Sequence, residues 1–172
     1  MKIDFEKAYD SISWDFVEQV LIKKGFDEKA KQWIMSTARG DRVSININGE
    51  NGPYIKTHTG LRQGDPLSAM LFNLAADTLD HILNKAKKQG HIKGVIPHLV
   101  HARGWGVTHI QYADNTIILM DCDDRTISQM KFLLYYFEWM SGLKINYHKI
   151  EIITFGVPGE EQESIAKRGA CQ

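Results

Sequence analysis

A long amphipathic segment at residues 65–89 constrains the fold of this chain more than any other feature. Pro66 suits the first turn of a helix, where its fixed φ fits and its missing N–H would have no partner. Side chains then recur at helical spacing to about Gln89, and they predict a core-facing stripe of Leu67, Met70, Leu71, Leu74, Thr78, Leu79 and Ile82. Such a stripe has to be buried against another layer of secondary structure.

Further helices are predicted on both sides of this segment. Ser13 suits an N-cap, and the apolar spacing behind it predicts a helix that stops at Gly25. A second helix is predicted from Asp27 to about Ala38. A third runs from about Arg125 to Met140, with an apolar face of Ile127, Met130, Leu133, Leu134 and Phe137.

Strand-like alternation fills most of the remaining chain. Ile3 and Phe5 alternate with Asp4 at the start, and residues 42–58 have the pattern of a hairpin. "THIQYADNTIILM" is typical of a strand, a turn and a strand, whereas residues 90–107 predict a loop with a short strand near Val95. "GLKINYHKIEIITFG" returns to strand character. The order predicts an α+β fold in which helices pack on one face of an antiparallel sheet.

Composition fits one globular domain, predicted at residues 1–156, followed by a polar tail at 157–172. Hydrophobic residues make up 43% of the 172 residues and charged residues 24%, close to the average of globular proteins. Lys and Arg total 21 and so do Asp and Glu, so a nucleic-acid partner would have to be held by local patches.

Localisation is constrained only broadly. The charged first twenty residues do not fit a signal peptide, and no apolar run is long enough to span a bilayer. Cys122 and Cys171 lie far apart, which favours a reducing compartment. We therefore expect a soluble intracellular protein without a membrane partner, in either the nucleus or the cytoplasm.

Two acids on separate predicted elements, Asp4 and Asp114, suit a site for two metal ions. Mg²⁺ prefers oxygen ligands, and paired ions lie roughly 4 Å apart, so carboxylates must converge from different elements. Acids also cap turns and helices, so each Asp alone is compatible with a purely structural role. "RQGDPLS" offers close backbone approach and free N–H groups ahead of a helix, although Gly-Asp-Pro is also an ordinary entry to a helix.

Four segments together resemble the palm motifs of reverse transcriptases. "KIDFEKAYDSISW", "GLRQGDPLSAMLFNL", "QYADNTII" and "SGLKINYHKIEI" are similar, in order and spacing, to the enzymes of non-LTR (LINE-type) retrotransposons that are abundant in plants. The resemblance covers Lys2 to Phe155. It implies a partial polymerase palm with a ferredoxin-like core, from which the fingers and thumb are expected to be largely missing.

The resemblance assigns the metal site to four positions. Asp4 and Asp114 match the metal-binding aspartates, and Phe5 is implied in both metal and nucleotide binding through its backbone carbonyl. Two Mg²⁺ ions are implied, with Mn²⁺ as an alternative. Asn115 stands where the family has a further acid, so one carboxylate is lost there and we expect slow or absent polymerisation.

The resemblance also implies a nucleotide pocket and a general acid. Tyr9 matches the aromatic residue that excludes a 2′-hydroxyl, although the same ring could simply be a half-buried core residue. Gln63 and Gly64 match the pair that lines the pocket, and Arg62 is an implied phosphate or template contact. Lys149 matches a lysine that protonates the departing pyrophosphate, although an exposed lysine after a strand needs no function.

The implied activity is RNA-directed DNA polymerisation, in which a primer 3′-hydroxyl attacks the α-phosphate of a deoxynucleoside triphosphate. The implied partners are an RNA template, a DNA primer and the nucleotide, and a monomer is expected. One alternative is a catalytically dead palm remnant with weak or no nucleic-acid binding, which Asn115 and the expected truncation favour. The other is an unrelated ferredoxin-like metal-binding domain, which requires the motif matches to be accidental.

Overall fold

The computed structural model describes residues 1–39, 42–95, 106–112, 115–156, 158, 162, 163 and 165. Its helices are α1 (Ala8–Ser11), α2 (Trp14–Lys23), α3 (Glu28–Arg39), α4 (Pro66–Lys88) and α5 (Asp124–Ser141), with a 3₁₀ turn at Tyr147–Lys149. Its strands are β1 (Lys2–Ile3), β2 (Phe5–Glu6), β3 (Arg42–Val43), β4 (Asn46–Ile47), β5 (Glu50–Asn51), β6 (Ile55–Lys56), β7 (His109–Tyr112), β8 (Asn115–Ile118) and β9 (Lys144–Ile145). Most of the predicted tail at 157–172 lies outside the described residues.

The long helices begin and end at residues with the expected capping chemistry. Ser13 Oγ accepts a hydrogen bond from the Phe16 N–H at 3.4 Å, as the sequence predicted for the start of α2. Pro66 occupies the first turn of α4 behind the Asp65 cap. Gly142, with φ of 75°, follows the end of α5 in the left-handed conformation that glycine tolerates. Local capping signals therefore located these helices well.

An antiparallel sheet runs through the middle of the fold. Strand β1 pairs with β8, and β8 pairs with β7. Strand β2 continues from β1 but pairs with β9 on the other side. Helices α2, α4 and α5 pack together, and the core includes Ile3, Leu79 and Phe137, each 0% exposed. The predicted α+β class with an antiparallel sheet is confirmed.

The predicted stripe of α4 is wrong at Met70. Its side chain is 64% exposed, whereas Phe72 and Ala75 are buried. The core-facing side of α4 is rotated toward its alanines, because small side chains let neighbouring helices approach closely even though they contribute little apolar area. A stripe that left out Phe72 and the alanines therefore misplaced the edge of this face.

Two strand predictions need correction or refinement. The strand expected across residues 142–156 is limited to β9, because the chain then enters the 3₁₀ turn and pairs with β1 through an isolated bridge at Glu151. The short strand expected near Val95 is an isolated bridge to Val107. The hairpin expected at residues 42–58 forms, as β3 with β6 and β4 with β5.

Within the described residues, none of the helices is long and apolar enough to cross a bilayer.

Candidate active site

Asp4 lies where the first strand changes its partner. Ile3 pairs with Thr116 of β8, whereas Phe5 pairs with Ile145 of β9. Asp4 stands between these two pairs, and its carboxylate is 19% exposed. A residue at such a junction is fixed by two separate ladders, which is the rigidity that a metal ligand requires.

The β7–β8 hairpin ends beside Asp4. Tyr112 of β7 pairs with Asn115 of β8 at the last described step of that ladder. One further step in the register of β1 with β8 would set Asp4 opposite Asn115. Ala113 and the predicted second ligand Asp114 connect the two strands and lie outside the described residues. The exposed Asn115 therefore belongs to the end of the sheet that carries Asp4.

Lys149 meets Asp4 directly. Its Nζ donates to Asp4 Oδ2 at 2.9 Å, across 145 positions of sequence. The Asn146 N–H also donates to the backbone carbonyl of Asp4, at 2.8 Å. The structure thus brings together two of the three residues that the sequence predicted to act in catalysis.

Phe5 contributes its side chain to the core beside this junction. The ring is 5% exposed and lies 5.9 Å from the ring of Phe137 in α5. This packing fixes the backbone of β2 next to Asp4. The predicted role of Phe5 concerns its carbonyl, so burial of the ring is compatible with it.

Apart from Phe5 on β2, the predicted nucleotide-binding residues lie on α1 and on the loop that packs against it. Tyr9 is half-buried and stacks on Phe72 of α4, with ring centroids 4.8 Å apart and planes at 18°. Gln63 Nε2 donates to Asp10 Oδ1 at 3.2 Å. The loop therefore places Gln63 against the α1 turn that presents Tyr9.

Gly60 allows the loop to approach α1. Its φ is +89°, and a Cβ there would lie 2.7 Å from the Asp10 carbonyl oxygen and 2.9 Å from that of Tyr9. The Gly60 carbonyl in turn accepts from the Trp14 indole N–H at 2.6 Å. Only glycine fits such a contact between two backbones.

A cavity of about 600 Å³ opens beside this loop. Polar side chains of Asp10, Arg42, Thr59, Arg62 and Gln63 contribute to its wall. The two guanidinium groups suit an anionic ligand, since arginine forms forked hydrogen bonds to phosphate. Gly64 is exposed beside them, and a Cβ on it would meet no atom within 4 Å. Its φ of +85°, rather than packing, accounts for glycine there.

Most of the chain matches one protein family. The match to the family described as reverse transcriptase (RNA-dependent DNA polymerase) extends over residues 1–167. The chain belongs to the reverse transcriptase family. The resemblance inferred from four short motifs is thereby confirmed.

Similar sequences include polyproteins of non-LTR retrotransposons. The chain is 26% identical, over 90% of its length, to a retrovirus-related Pol polyprotein from a type-1 retrotransposable element R2 of Popillia japonica. It is also 26% identical, over 94% of its length, to the corresponding polyprotein of the type-2 element R2DM of Drosophila melanogaster. The chain spans only 24% and 14% of these two polyproteins. An uncharacterized mitochondrial protein of Arabidopsis thaliana is 36% identical over 41% of the chain and 55% of its own length.

Solved structures agree on the fold. The apo telomerase of Candida tropicalis, truncated from its C-terminal domain, superposes with a TM-score of 0.66 at 17% identity. That alignment covers 92% of this chain and 31% of the telomerase chain. A telomerase of the same organism, in complex with a fragment of telomeric RNA, gives a TM-score of 0.62 at 15% identity. The fold is therefore that of a reverse transcriptase palm.

Reverse transcriptases generally use divalent metal ions, and the donor atoms around Asp4 are of the ligand type that suits such ions. The Asp4 carboxylate, the Phe5 carbonyl and the Asn115 amide oxygen are hard oxygen ligands of the type that Mg²⁺ prefers. Their charge is low, because Asn115 is neutral and Lys149 already pairs with Asp4. Among the described residues, these donors therefore fit a divalent cation in ligand chemistry, and they would hold it less strongly than two neighbouring carboxylates would.

A second acidic group, on α4, makes contacts to basic side chains of the protein. Asp77, Asp80 and His81 have ligand atoms close enough together to suggest a cation site. Lys24 pairs with Asp77, however, and His109 Nε2 lies 2.8 Å from Asp80 Oδ1. These contacts give the carboxylates a structural role between α4 and its neighbours.

Sequence reasoning missed several supports of the site. Gly60 was visible just before the "LRQG" motif, and a glycine at a loop next to a motif could have signalled close backbone packing. Glu138 gave no such signal, because nothing in the sequence links it to Ile145 or Tyr147. Its contacts to Ile145 and Tyr147 depend on tertiary structure.

Proposed function

We propose that this chain is the palm of an RNA-directed DNA polymerase that joins deoxynucleotides to a primer 3′-hydroxyl. The observation that carries the proposal is the position of Asp4. It stands between two strand ladders, beside the end of the β7–β8 hairpin, and Lys149 lies within hydrogen-bonding distance. The proposed substrates are an RNA template, a DNA primer and a deoxynucleoside triphosphate, bound by a monomer.

The reaction forms a bond between the primer 3′-oxygen and the α-phosphorus, breaks the bond from that phosphorus to pyrophosphate, and releases the proton of the 3′-hydroxyl to water. Asp4, the Phe5 carbonyl, Asp114 and Asn115 would hold the two divalent ions, Mg²⁺ or Mn²⁺. Bound ions lower the pKa of the primer hydroxyl and neutralise charge on the phosphates. Lys149 presents an ammonium N–H beside Asp4, from which a departing pyrophosphate oxygen can take a proton.

The cavity beside the "RQG" loop is the proposed binding site for the nucleotide and the template base. Arg62 supplies a positive charge for phosphate, and exposed Gly64 lets a base approach the backbone. Tyr9 is held by its stack on Phe72, so its ring cannot easily turn away from a sugar placed over α1. This rigidity supports selection against a 2′-hydroxyl.

Asn115 reduces the proposed activity. An amide has nearly the shape of a carboxylate but no charge, so it binds divalent cations less strongly. Lys149 competes with a metal ion for Asp4, because its ammonium must release the Asp4 carboxylate before the ion can bind it. Both effects predict slow polymerisation by the natural sequence.

A palm without catalytic activity is the second candidate, and the same two residues favour it. In that case the chain retains the fold and at most weak nucleic-acid binding. Primer extension with purified protein separates the candidates: Asn115→Asp is expected to extend a DNA primer on an RNA template faster than wild type.

Asp4→Asn in the Asn115→Asp background is the matched control, because it keeps the shape of the site and removes the first ligand. Extension that survives Asp4→Asn would contradict the proposed site. Extension by neither wild type nor Asn115→Asp would favour the inactive palm.

A further inference from the structure

The strand carrying Asp4 faces a bulge with a defined shape. Lys2 bridges to Glu151, and Phe5 pairs with Ile145. Two residues separate these partners on the Asp4 strand, whereas five residues, 146–150, separate them on the other. The extra residues form the 3₁₀ turn at Tyr147–Lys149. Bulges of this kind redirect side chains next to functional sites.

Backbone contacts attach the bulge to Asp4. The Asn146 N–H donates to the Asp4 carbonyl at 2.8 Å, and the Lys149 N–H donates to the Asn146 carbonyl at 3.0 Å. This short chain of hydrogen bonds sets the direction in which the Lys149 side chain leaves the turn. The Lys149 ammonium then reaches Asp4 Oδ2 at 2.9 Å.

Glu138 of α5 holds the other side of the bulge. Its Oε1 accepts from the Ile145 N–H at 2.6 Å, and its Oε2 accepts from the Tyr147 hydroxyl at 3.1 Å. Its backbone carbonyl accepts from the Gly142 N–H at 2.9 Å, where α5 ends. One residue therefore ties the helix end, β9 and the turn together, through hydrogen bonds that its negative charge strengthens.

Tyr147 remains a hydrogen-bond donor under ordinary conditions. Burial, together with the charge of Glu138 and the hydrogen bond to it, raises the pKa of its hydroxyl to about 12. The hydroxyl therefore stays protonated and bonded to Glu138 at neutral pH.

We propose that Glu138 is a positioning residue, which holds the bulge so that Lys149 meets Asp4. The importance of the Lys149–Asp4 ion pair for nucleotidyl transfer rests on the proposed function. The claim that Glu138 positions Lys149 does not. Among the described residues, Glu138 hydrogen-bonds to Ile145, Tyr147 and Gly142, so it acts through the turn.

Acylation of Lys149 by an N-hydroxysuccinimide ester measures the ion pair without any catalysis. Mass spectrometry would give the rate at Lys149 relative to exposed Lys93 in the same chain. Asp4→Asn defines the rate without the pair, and it is expected to exceed wild type by about two- to fivefold, the range that partly exposed pairs support. Glu138→Ala and Glu138→Leu are expected to match that rate.

Glu138→Gln is the rescue variant. Its amide oxygen can accept from the Ile145 N–H, and its amide NH₂ can donate to the Tyr147 oxygen, so protection of Lys149 is expected to stay near wild type. If Glu138→Ala fails to fold, Tyr147→Phe is the substitute. It removes one contact only and is expected to raise the acylation rate at Lys149 by a smaller amount.

Three results would overturn the inference. They are wild-type protection in the Glu138→Ala and Tyr147→Phe variants, a Glu138→Gln rate as high as that of Asp4→Asn, or no rise in Asp4→Asn itself. Failure of the proposed function has a different signature, because primer extension would be absent while the acylation pattern stayed as expected.

Discussion

Gly60→Ala is expected to destabilise the chain strongly and to displace the loop that carries Gln63. The new Cβ would lie 2.7 Å from the Asp10 carbonyl oxygen and 2.9 Å from the Tyr9 carbonyl oxygen. Both atoms belong to the backbone of α1, so a side-chain rotation cannot relieve the contact. Gly60 also has a φ of +89°, which alanine adopts only with strain.

The expected magnitude separates into two parts. Positive φ costs alanine roughly 1–2 kcal/mol. Crowding against fixed backbone adds about 1–3 kcal/mol, as for other overpacked sites. Gly64→Ala is the matched control, because its φ is +85° but its Cβ would meet nothing within 4 Å. The difference between the two variants therefore isolates the backbone contact.

Urea unfolding followed by circular dichroism measures both variants on the same scale. Gly60→Ala is expected to lose more stability than Gly64→Ala by about 1–3 kcal/mol, with an unchanged dependence on urea. Equal losses in the two variants would refute the packing of the loop on α1, and with it the placement of Gln63 and Arg62.

Three further substitutions test separate parts of the site. Lys149→Met keeps the aliphatic chain but removes the ammonium that pairs with Asp4, so calorimetry should show tighter Mn²⁺ binding. Lys93→Met is the control, and an affinity of Lys149→Met no greater than that of this control would count against competition between Lys149 and the metal ion for Asp4. Tyr147→Phe should flatten the pH dependence of stability. Between pH 10.0 and about 12 the unfolded chain releases this proton while the folded chain keeps it, so wild-type stability should fall as pH rises, and an equal slope in the variant would contradict this. Tyr9→Ala, in the Asn115→Asp background, should incorporate ribonucleotides more readily relative to deoxynucleotides, and unchanged discrimination would exclude Tyr9 as the selective residue.

The sequence predicted the helices because their signals are local. Ser13, Pro66 and the residues after them provide a cap and a periodic stripe within one or two turns. The error at Met70 has a local cause too, since the stripe left out Phe72 and Ala75, which are buried. The length of α4 was nevertheless close to the prediction.

The site was predictable in its residue types but not in its geometry. The motifs named Asp4 and Lys149, but only the structure shows the ion pair between them, which joins positions 145 residues apart. The change of strand partner at Asp4 depends on pairing with both β8 and β9. Such long-range register is set by tertiary packing, which a pattern within one segment does not contain.

The support from Glu138 shows the same limit. A single carboxylate within α5 gives no signal in the sequence, and its role in the fold follows from its contacts to Ile145 and Tyr147. The predictions for Tyr9, Arg62 and Gly64 remain predictions about function, although the structure gives each a defined position near one loop.

Mn²⁺ binding to wild type, Asn115→Asp and Asp4→Asn tests most directly whether Asp4 and position 115 form one metal site. Paramagnetic resonance of free Mn²⁺ reports the affinity without template, primer or nucleotide. A second carboxylate beside Asp4 is expected to tighten binding by at least about tenfold, equivalent to about 1.4 kcal/mol, and Asp4→Asn is expected to weaken it in either background. Equal affinity of wild type and Asn115→Asp, or binding that survives Asp4→Asn, would contradict the account.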